Sequence, residues 1–249
     1  MRTVLRLTLV LSLMLAPPLT WRAVWSADAP AAKPAAETPA KPTGPERWEP
    51  TIQKFEAADK ESPPPQGAVL FVGSSTFTMW RTVAEDLKPL VVINRGFGGS
   101  TIPDILRYVD RIVIPYKPRQ IVFYAGDNDL QSNRKAEQVL ADFQAFVEKV
   151  RKALPETKIH FVSIKPSPSR ARVWDEAQKA NRMVREFTEK TAGLAFIDTT
   201  KPMLDADGKP KPEIFLKDML HMNRQGYELW IPIVKAALDK AGAAPPEKR

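Results

Sequence analysis

Five short apolar runs, alternating with longer amphipathic segments, constrain this chain more than any other feature. The runs are AVLFV (68–72), VVIN (91–94), QIVFYA (120–125), KIHFVSI (158–164) and LAFID (194–198). They are apolar on both faces, as strands covered on two sides must be. Between them apolar residues recur at three- and four-residue steps, as in AEQVLADFQAFVEKVRKAL (136–154) and WDEAQKANRMVREFTEK (174–190), and a last helix is expected over about 223–241. Repeated strand-then-helix order predicts an α/β fold, a three-layer α/β/α sandwich around a central parallel sheet of about five strands. In such sheets ligands collect at the carboxyl ends of the strands, so the loops that follow the strands are where chemistry is expected.

Two segments precede these elements. Met1, Arg2 and Arg6 supply positive charge, and LTLVLSLMLAPPLTW supplies an apolar core too short for a comfortable membrane span, a pattern that reads as an export signal. Cleavage fits after Ser26 or Ala27, yet Trp21, Arg22 and Trp25 depart from the usual small-residue end, so residues 1–27 are either a cleaved signal or a retained anchor. DAPAAKPAAETPAKPTGP (28–45) alternates Ala and Pro with charges and carries almost nothing to bury, which predicts a disordered tether. Residues 46–245 are left for one folded domain. The chain has 249 residues, 43% of them hydrophobic, enough for one sizeable core. A periplasmic or extracellular location is expected.

Composition removes several classes of chemistry. Cys is absent, which excludes disulfides, a thiolate nucleophile, cysteine-ligated metals and a lipid-acylated N-terminus. The only histidines are His160 and His221, so no His-rich metal site is expected, and neither a metal nor an organic cofactor is called for. The formal net charge of +8 includes Arg2, Arg6 and Arg22 of the leader. The mild excess left on the domain needs no nucleic acid to explain it, although it suits peripheral association with an anionic envelope surface. No obligate protein partner is expected.

The loops are then read one by one. GSST follows the first run, and a serine on a tight turn beyond a strand can expose its hydroxyl beside the amide hydrogens of a helix start; a Ser or Thr helix cap is the structural alternative. NRGFGGS follows the second run and places three glycines among residues 96–99, which fits a backbone amide that donates to an oxyanion or an ordinary tight loop; the spacing of a dinucleotide fingerprint is not met. AGDNDL (125–130) follows the third, offering an Asn amide or simple turn chemistry. Near the end, in LKDMLHMNRQGYELW (216–230), Asp218 precedes His221 by three positions, a spacing that lets a carboxylate orient an imidazole or sets a surface histidine beside a chance acid. His160 lies within a strand and is expected to be a hydrogen-bonded core residue.

Taken in order, these blocks resemble the SGNH hydrolases, also called the GDSL esterase and lipase family. The resemblance runs from about Ala68 to Trp230: GSST stands where the family has Gly-Asp-Ser, GFGGS where it has its Gly block, GDND where it has Gly-x-Asn-Asp, and DMLH where it has Asp-x-x-His. The flavour is closest to the branch similar to platelet-activating-factor acetylhydrolase subunits. The resemblance implies a flavodoxin-like sheet, a catalytic triad of Ser75, Asp218 and His221, and an oxyanion hole formed by the Ser75 and Gly99 amides and the Asn128 side chain. Ser74 occupies the place of the family's Asp, a departure, and makes Ser74 a second candidate for the nucleophile.

The resemblance also implies a small-molecule or glycan ester as substrate, commonly a short acyl ester, an acetylated sugar or a lysolipid-like compound. Trp80, Trp174 and Trp230 are either core residues or the lining of a sugar or acyl site. Two other function classes remain in view. One is a non-catalytic, envelope-tethered module that binds acylated glycans; the other is an envelope spacer built around the Pro-rich tether.

Overall fold

The structure, a computed structural model, describes residues 44–242. The expected signal and residues 28–43 of the expected tether lie outside them. A 3-10 turn, Gly44–Trp48, leads into helix α1 (Glu49–Glu61), followed by strand β1 (Val69–Gly73), α2 (Ser75–Met79), α3 (Val83–Asp86), β2 (Val92–Gly96), α4 (Ile102–Ile112), β3 (Gln120–Tyr124), α5 (Asp127–Gln131), α6 (Ala136–Ala153), β4 (Lys158–Val162), α7 (Trp174–Glu189), β5 (Leu194–Ile197) and α8 (Arg224–Gly242). The five strands form one parallel sheet in the order β2-β1-β3-β4-β5. That is the doubly wound, flavodoxin-like order expected from the alternating pattern. Among the described residues no helix is long and apolar enough to cross a membrane.

Successive strand residues face opposite sides, so each strand feeds two cores. Leu70 and Val72 of β1 join Ile121, Phe123 and Phe161 beneath α1, α4, α6 and α7. Val69 and Phe71 join Val122, Tyr124 and Val162 beneath α2, α3 and α8, where Phe77, Trp80, Tyr227 and Trp230 pack together. Trp80 and Trp230 are fully buried there, so they are core rather than the lining of a sugar site, while Trp174 is partly buried against the other core.

Helix α4 buries Ile102, Ile105, Tyr108, Val109 and Ile112 at three- and four-residue steps, and caps and ion pairs fix it and α1 in place. Thr101 and Asp104 form a capping box at the start of α4, which satisfies backbone donors that would otherwise be orphaned. Helix α1 is held to α4 by Arg111, which binds Glu49 at 2.8 Å and Glu56 at 2.7 Å. Its other end is fixed where Asp59 receives Tyr116 Oη at 2.5 Å and pairs with Arg95. The domain's first packed element thus precedes β1 by a whole helix.

His160 behaves as a core residue: it is buried in β4, its Nε2 lies 2.9 Å from Gln120 Oε1, and burial pulls its imidazole down to about 4. It is therefore neutral near pH 7.

At the end of β1 the sheet leaves no room for a side chain. A Cβ on Gly73 would lie 2.1 Å from the Tyr124 carbonyl oxygen, a backbone atom that cannot step aside. Gly73→Ala is therefore expected to destabilise the fold by about 3 kcal/mol or more, the size associated with overpacked or strained core positions. Urea denaturation followed by circular dichroism measures it, and a loss below about 1 kcal/mol would contradict this reading of the strand contact.

Candidate active site

The nucleophile candidate is placed by the turn that ends β1. Ser74 donates its N–H to Tyr124 O at 3.0 Å, and its carbonyl accepts from the N–H groups of Phe77 and Thr78 at 3.0 and 3.2 Å, which bends the chain from strand into α2. The Ser74 side chain is fully buried and its hydroxyl has no partner. Ser75 is the first residue of α2 and is only partly buried. Among the described residues its hydroxyl makes no hydrogen bond, and its N–H, at the helix start, is likewise left over. A helix N-terminus favours negative charge, so of the two neighbouring serines Ser75 has the exposure and the electrostatics.

The glycine loop after β2 lies against this residue. A Cβ on Gly98 would sit 3.9 Å from Ser75 Cβ, and Gly99 has φ +76°, a left-handed conformation that glycine adopts without strain. The Gly99 N–H has no backbone partner. Across the loop, Asn128 Nδ2 donates to Ser100 O at 3.0 Å, using one of its two amide hydrogens. Ser75, the 98–100 loop and Asn128 thus lie together, Asn128 through its hydrogen bond to Ser100 and Ser75 beside Gly98. They flank β1 and β3, the pair of strands at which a 2-1-3-4-5 sheet reverses direction and where such sheets bind ligands.

Asp218 and His221 stand on a turn closed by Leu216 N–H to His221 O at 2.7 Å and by the Phe215–Met222 bridge. His221 Nδ1 lies 2.6 Å from Asp218 Oδ2, while Asp218 Oδ1 accepts the N–H groups of Leu220 and His221, each at 3.0 Å. Burial alone would raise the Asp218 carboxyl, but the hydrogen bonds from the His221 ring and from these backbone amides outweigh it and hold the group at about 2. With an ionised acceptor at Nδ1, the imidazole carries its proton there and leaves Nε2 available as a base.

No hydrogen bond joins Ser75 to His221. The two are linked through the scaffold: Tyr227 of α8 donates to Thr76 O at 2.8 Å and stacks on Trp80 at 5.1 Å, and Ser169 N–H holds Met219 O at 3.0 Å.

Beneath this edge lies a buried polar group that sequence reasoning missed. Lys165 and Asp127, 1% and 4% exposed at their side chains, approach to 3.5 Å, and Tyr124 Oη lies 3.2 Å from Asp127 Oδ2 and 3.3 Å from Lys165 Nζ. Burial pulls the Lys165 ammonium below its ordinary range, and Asp127 opposes that shift. The available signal was a lysine between Ile164 and Pro166 at the exit of an apolar strand, a place where a lone cation requires a partner. Arg170, on the 3-10 turn Pro168–Val173, was missed as well; its Nη2 lies 3.4 Å from Asn128 Oδ1.

Comparison with known proteins adds to this geometry. The model of the GDSL-like Lipase/Acylhydrolase family matches residues 66–229. Comparison with curated proteins gave no match. Among solved structures, a protein from Streptococcus pneumoniae provisionally described as a platelet activating factor is similar at 21% identity, over 77% of this chain and 92% of its own, with a TM-score of 0.68. A GDSL-like lipase from Bacteroides thetaiotaomicron is similar at 22% identity, over 76% and 98%, with a TM-score of 0.66. An acetyl-xylooligosaccharide esterase from Geobacillus is similar at 17% identity, over 75% and 99%, with a TM-score of 0.57. At these identities the likeness is one of fold.

Asp129, beside Asn128, gives the site a measurable pH signature. It is fully buried and accepts the Ile102 N–H at 3.1 Å, and burial pushes its carboxyl up to about 7. A raised folded-state value means that its stabilising contribution is complete below the unfolded value near 4 and is lost as pH rises through about 7. Asp129→Asn removes that titration while keeping an acceptor for Ile102. Relative to the parent, the variant's stability is expected to rise between pH 4 and 7 by up to about 1.4 kcal/mol per pH unit, measured by urea denaturation across that range. A pH-independent difference would contradict the assignment.

Proposed function

The chain belongs to the GDSL-like lipase/acylhydrolase family, and from that premise we propose that it is an exported serine esterase hydrolysing carboxylic esters, short acyl or acetyl esters above all. Ester hydrolysis as such follows from the family. The observation that carries the finer reading is the 2.6 Å contact between His221 Nδ1 and Asp218, on the same sheet edge as a serine whose hydroxyl and N–H are both unused.

In this reading His221 Nε2 takes the proton of Ser75 as its oxygen attacks the ester carbonyl carbon. The carbonyl π bond opens to an oxyanion, which receives hydrogen bonds from the Ser75 and Gly99 N–H groups and from the second Asn128 amide hydrogen. The tetrahedral intermediate collapses by expelling the alkoxide, which leaves as the alcohol with the proton that His221 returns. Water, deprotonated by the same imidazole, then attacks the acyl-serine and releases the carboxylic acid. Asp218 stabilises imidazolium in both steps without itself taking a proton. The Ser75–His221 contact, absent here, forms with substrate bound, as such contacts tighten in the reacting complex. No step needs a metal or an organic cofactor.

Export rests on residues 1–27, and the mild basic excess of the domain supports peripheral contact with an anionic envelope. The acetyl-xylooligosaccharide esterase among the structural neighbours supports a short acyl group. A non-catalytic glycan-binding module would leave the oriented His221–Asp218 pair without a task.

The full-length protein is expected to hydrolyse 4-nitrophenyl acetate, with Ser75→Ala reducing the rate to background. Asn128→Ala should lower kcat by about a hundredfold, the usual cost of one oxyanion donor. Unchanged turnover in Ser75→Ala, with folding verified by circular dichroism, would overturn the assignment of the nucleophile.

A further inference from the structure

Arg170 stands beside Asn128, the proposed oxyanion donor, and no carboxylate among the described residues pairs with it. It stands on the turn after β4, partly buried, with Nη2 3.4 Å from the Oδ1 of Asn128. Its Nε is sealed from solvent and has no hydrogen-bond partner. Among the described residues no carboxylate lies within 4 Å of its guanidinium, whereas the more deeply buried Lys165 faces Asp127 at 3.5 Å.

A planar guanidinium with five donors is built to accept a carboxylate or phosphate through two parallel hydrogen bonds. Its single long contact, to a neutral amide, leaves its partly exposed terminal nitrogens free among the described residues to receive an anion. A ligand can supply that anion. The Asn128 amide fixes where that anion would be: its Nδ2 faces the 98–100 loop, through Ser100 O at 3.0 Å, and its Oδ1 faces Arg170. The anion then sits one side chain away from the reacting acyl group, on the same molecule.

We infer that Arg170 is a specificity-determining residue that receives an anionic group, a carboxylate above all, carried by the ester substrate beside its scissile bond. The inference rests on the proposed esterase reading and narrows its substrate class from neutral esters to anionic ones. The carboxylate can belong to the acid released or to the alcohol released, as on an acidic sugar, and the two are separable by experiment. Charge-assisted hydrogen bonds to a desolvated guanidinium are worth roughly ten- to a hundredfold in kcat/KM.

The test compares three chromogenic esters on the full-length protein: neutral 4-nitrophenyl acetate, mono-4-nitrophenyl succinate with a carboxylate on the acyl side, and 3-carboxy-4-nitrophenyl acetate with one on the leaving group. The uncatalysed rate of each ester is subtracted; it is fast for the succinate, whose own carboxylate expels 4-nitrophenolate as the cyclic anhydride forms. The parent enzyme is expected to prefer one anionic ester at least tenfold, and which one it prefers assigns the carboxylate to the acid or to the alcohol. Arg170→Gln should lower kcat/KM for that ester at least tenfold more than for the neutral one, mainly through KM. Arg170→Lys should restore part of the preference, and Arg172→Gln, an exposed neighbour on the same turn, should leave it intact. Equal use of all three esters by the parent, or an equal loss on all three in Arg170→Gln, would overturn the inference; the latter result would make Arg170 a support for Asn128 only. If none of the esters reacts above background, the esterase reading fails, and the inference fails with it.

Discussion

The backbone of β1 runs so close to β3 at Gly73 that an added methyl would meet the Tyr124 carbonyl oxygen at 2.1 Å, and the whole carboxyl edge is organised by that approach. Because Gly73 ends the strand in register with Tyr124, the next N–H, that of Ser74, still reaches the Tyr124 carbonyl. The chain then turns immediately into α2. Ser75 therefore emerges at a helix start, directly over the point where the sheet changes direction. The 98–100 loop and Asn128 arrive from the two flanking strands, so three candidate groups converge without a long loop having to order itself.

Charge at this edge is arranged in depth. The exposed pair, His221 and Asp218, has a carboxylate held ionised by hydrogen bonds, which suits an imidazole that must accept a proton. Beneath it the ion pair of Lys165 and Asp127, bridged by Tyr124, fills a layer that would otherwise be apolar. Replacing such a pair by hydrophobic residues is often neutral for stability, so its value lies in fixing the shape and potential of the floor. Beside it Asp129 ties the start of α4 to the Asn128 loop through the Ile102 N–H. Two neighbouring aspartates of one short helix thus serve different structural ends.

Much of this was legible in the sequence, for identifiable reasons. The strands are covered on both faces, so their apolar runs were visible, and the parallel five-stranded sheet follows from their alternation with helices. Helices α1 and α4 were among those not anticipated; both are fixed by contacts distant in sequence, such as Arg111 with Glu49 and Glu56, although the apolar spacing of α4 was there to be read. Ser75, Gly99, Asn128, Asp218 and His221 could be named as candidates because each follows a strand or precedes the last helix, in the order that resembles the family's blocks. The resemblance favoured Ser75 over Ser74, and the fold adds that the Ser74 side chain is sealed and that of Ser75 is not. Lys165 and Arg170 were hidden because a cation in a sequence carries no mark of its burial. Trp80 and Trp230, read as core or as ligand-binding aromatics, are core.

The central claim is that Ser75 is a nucleophile activated by His221. It is tested most directly by treating the full-length protein with a fluorophosphonate, which phosphonylates only an activated serine, and locating the adduct by mass spectrometry. The account predicts one adduct per chain, on Ser75, formed far more slowly in His221→Ala. An adduct on another residue, or none on a preparation that hydrolyses esters, would contradict it.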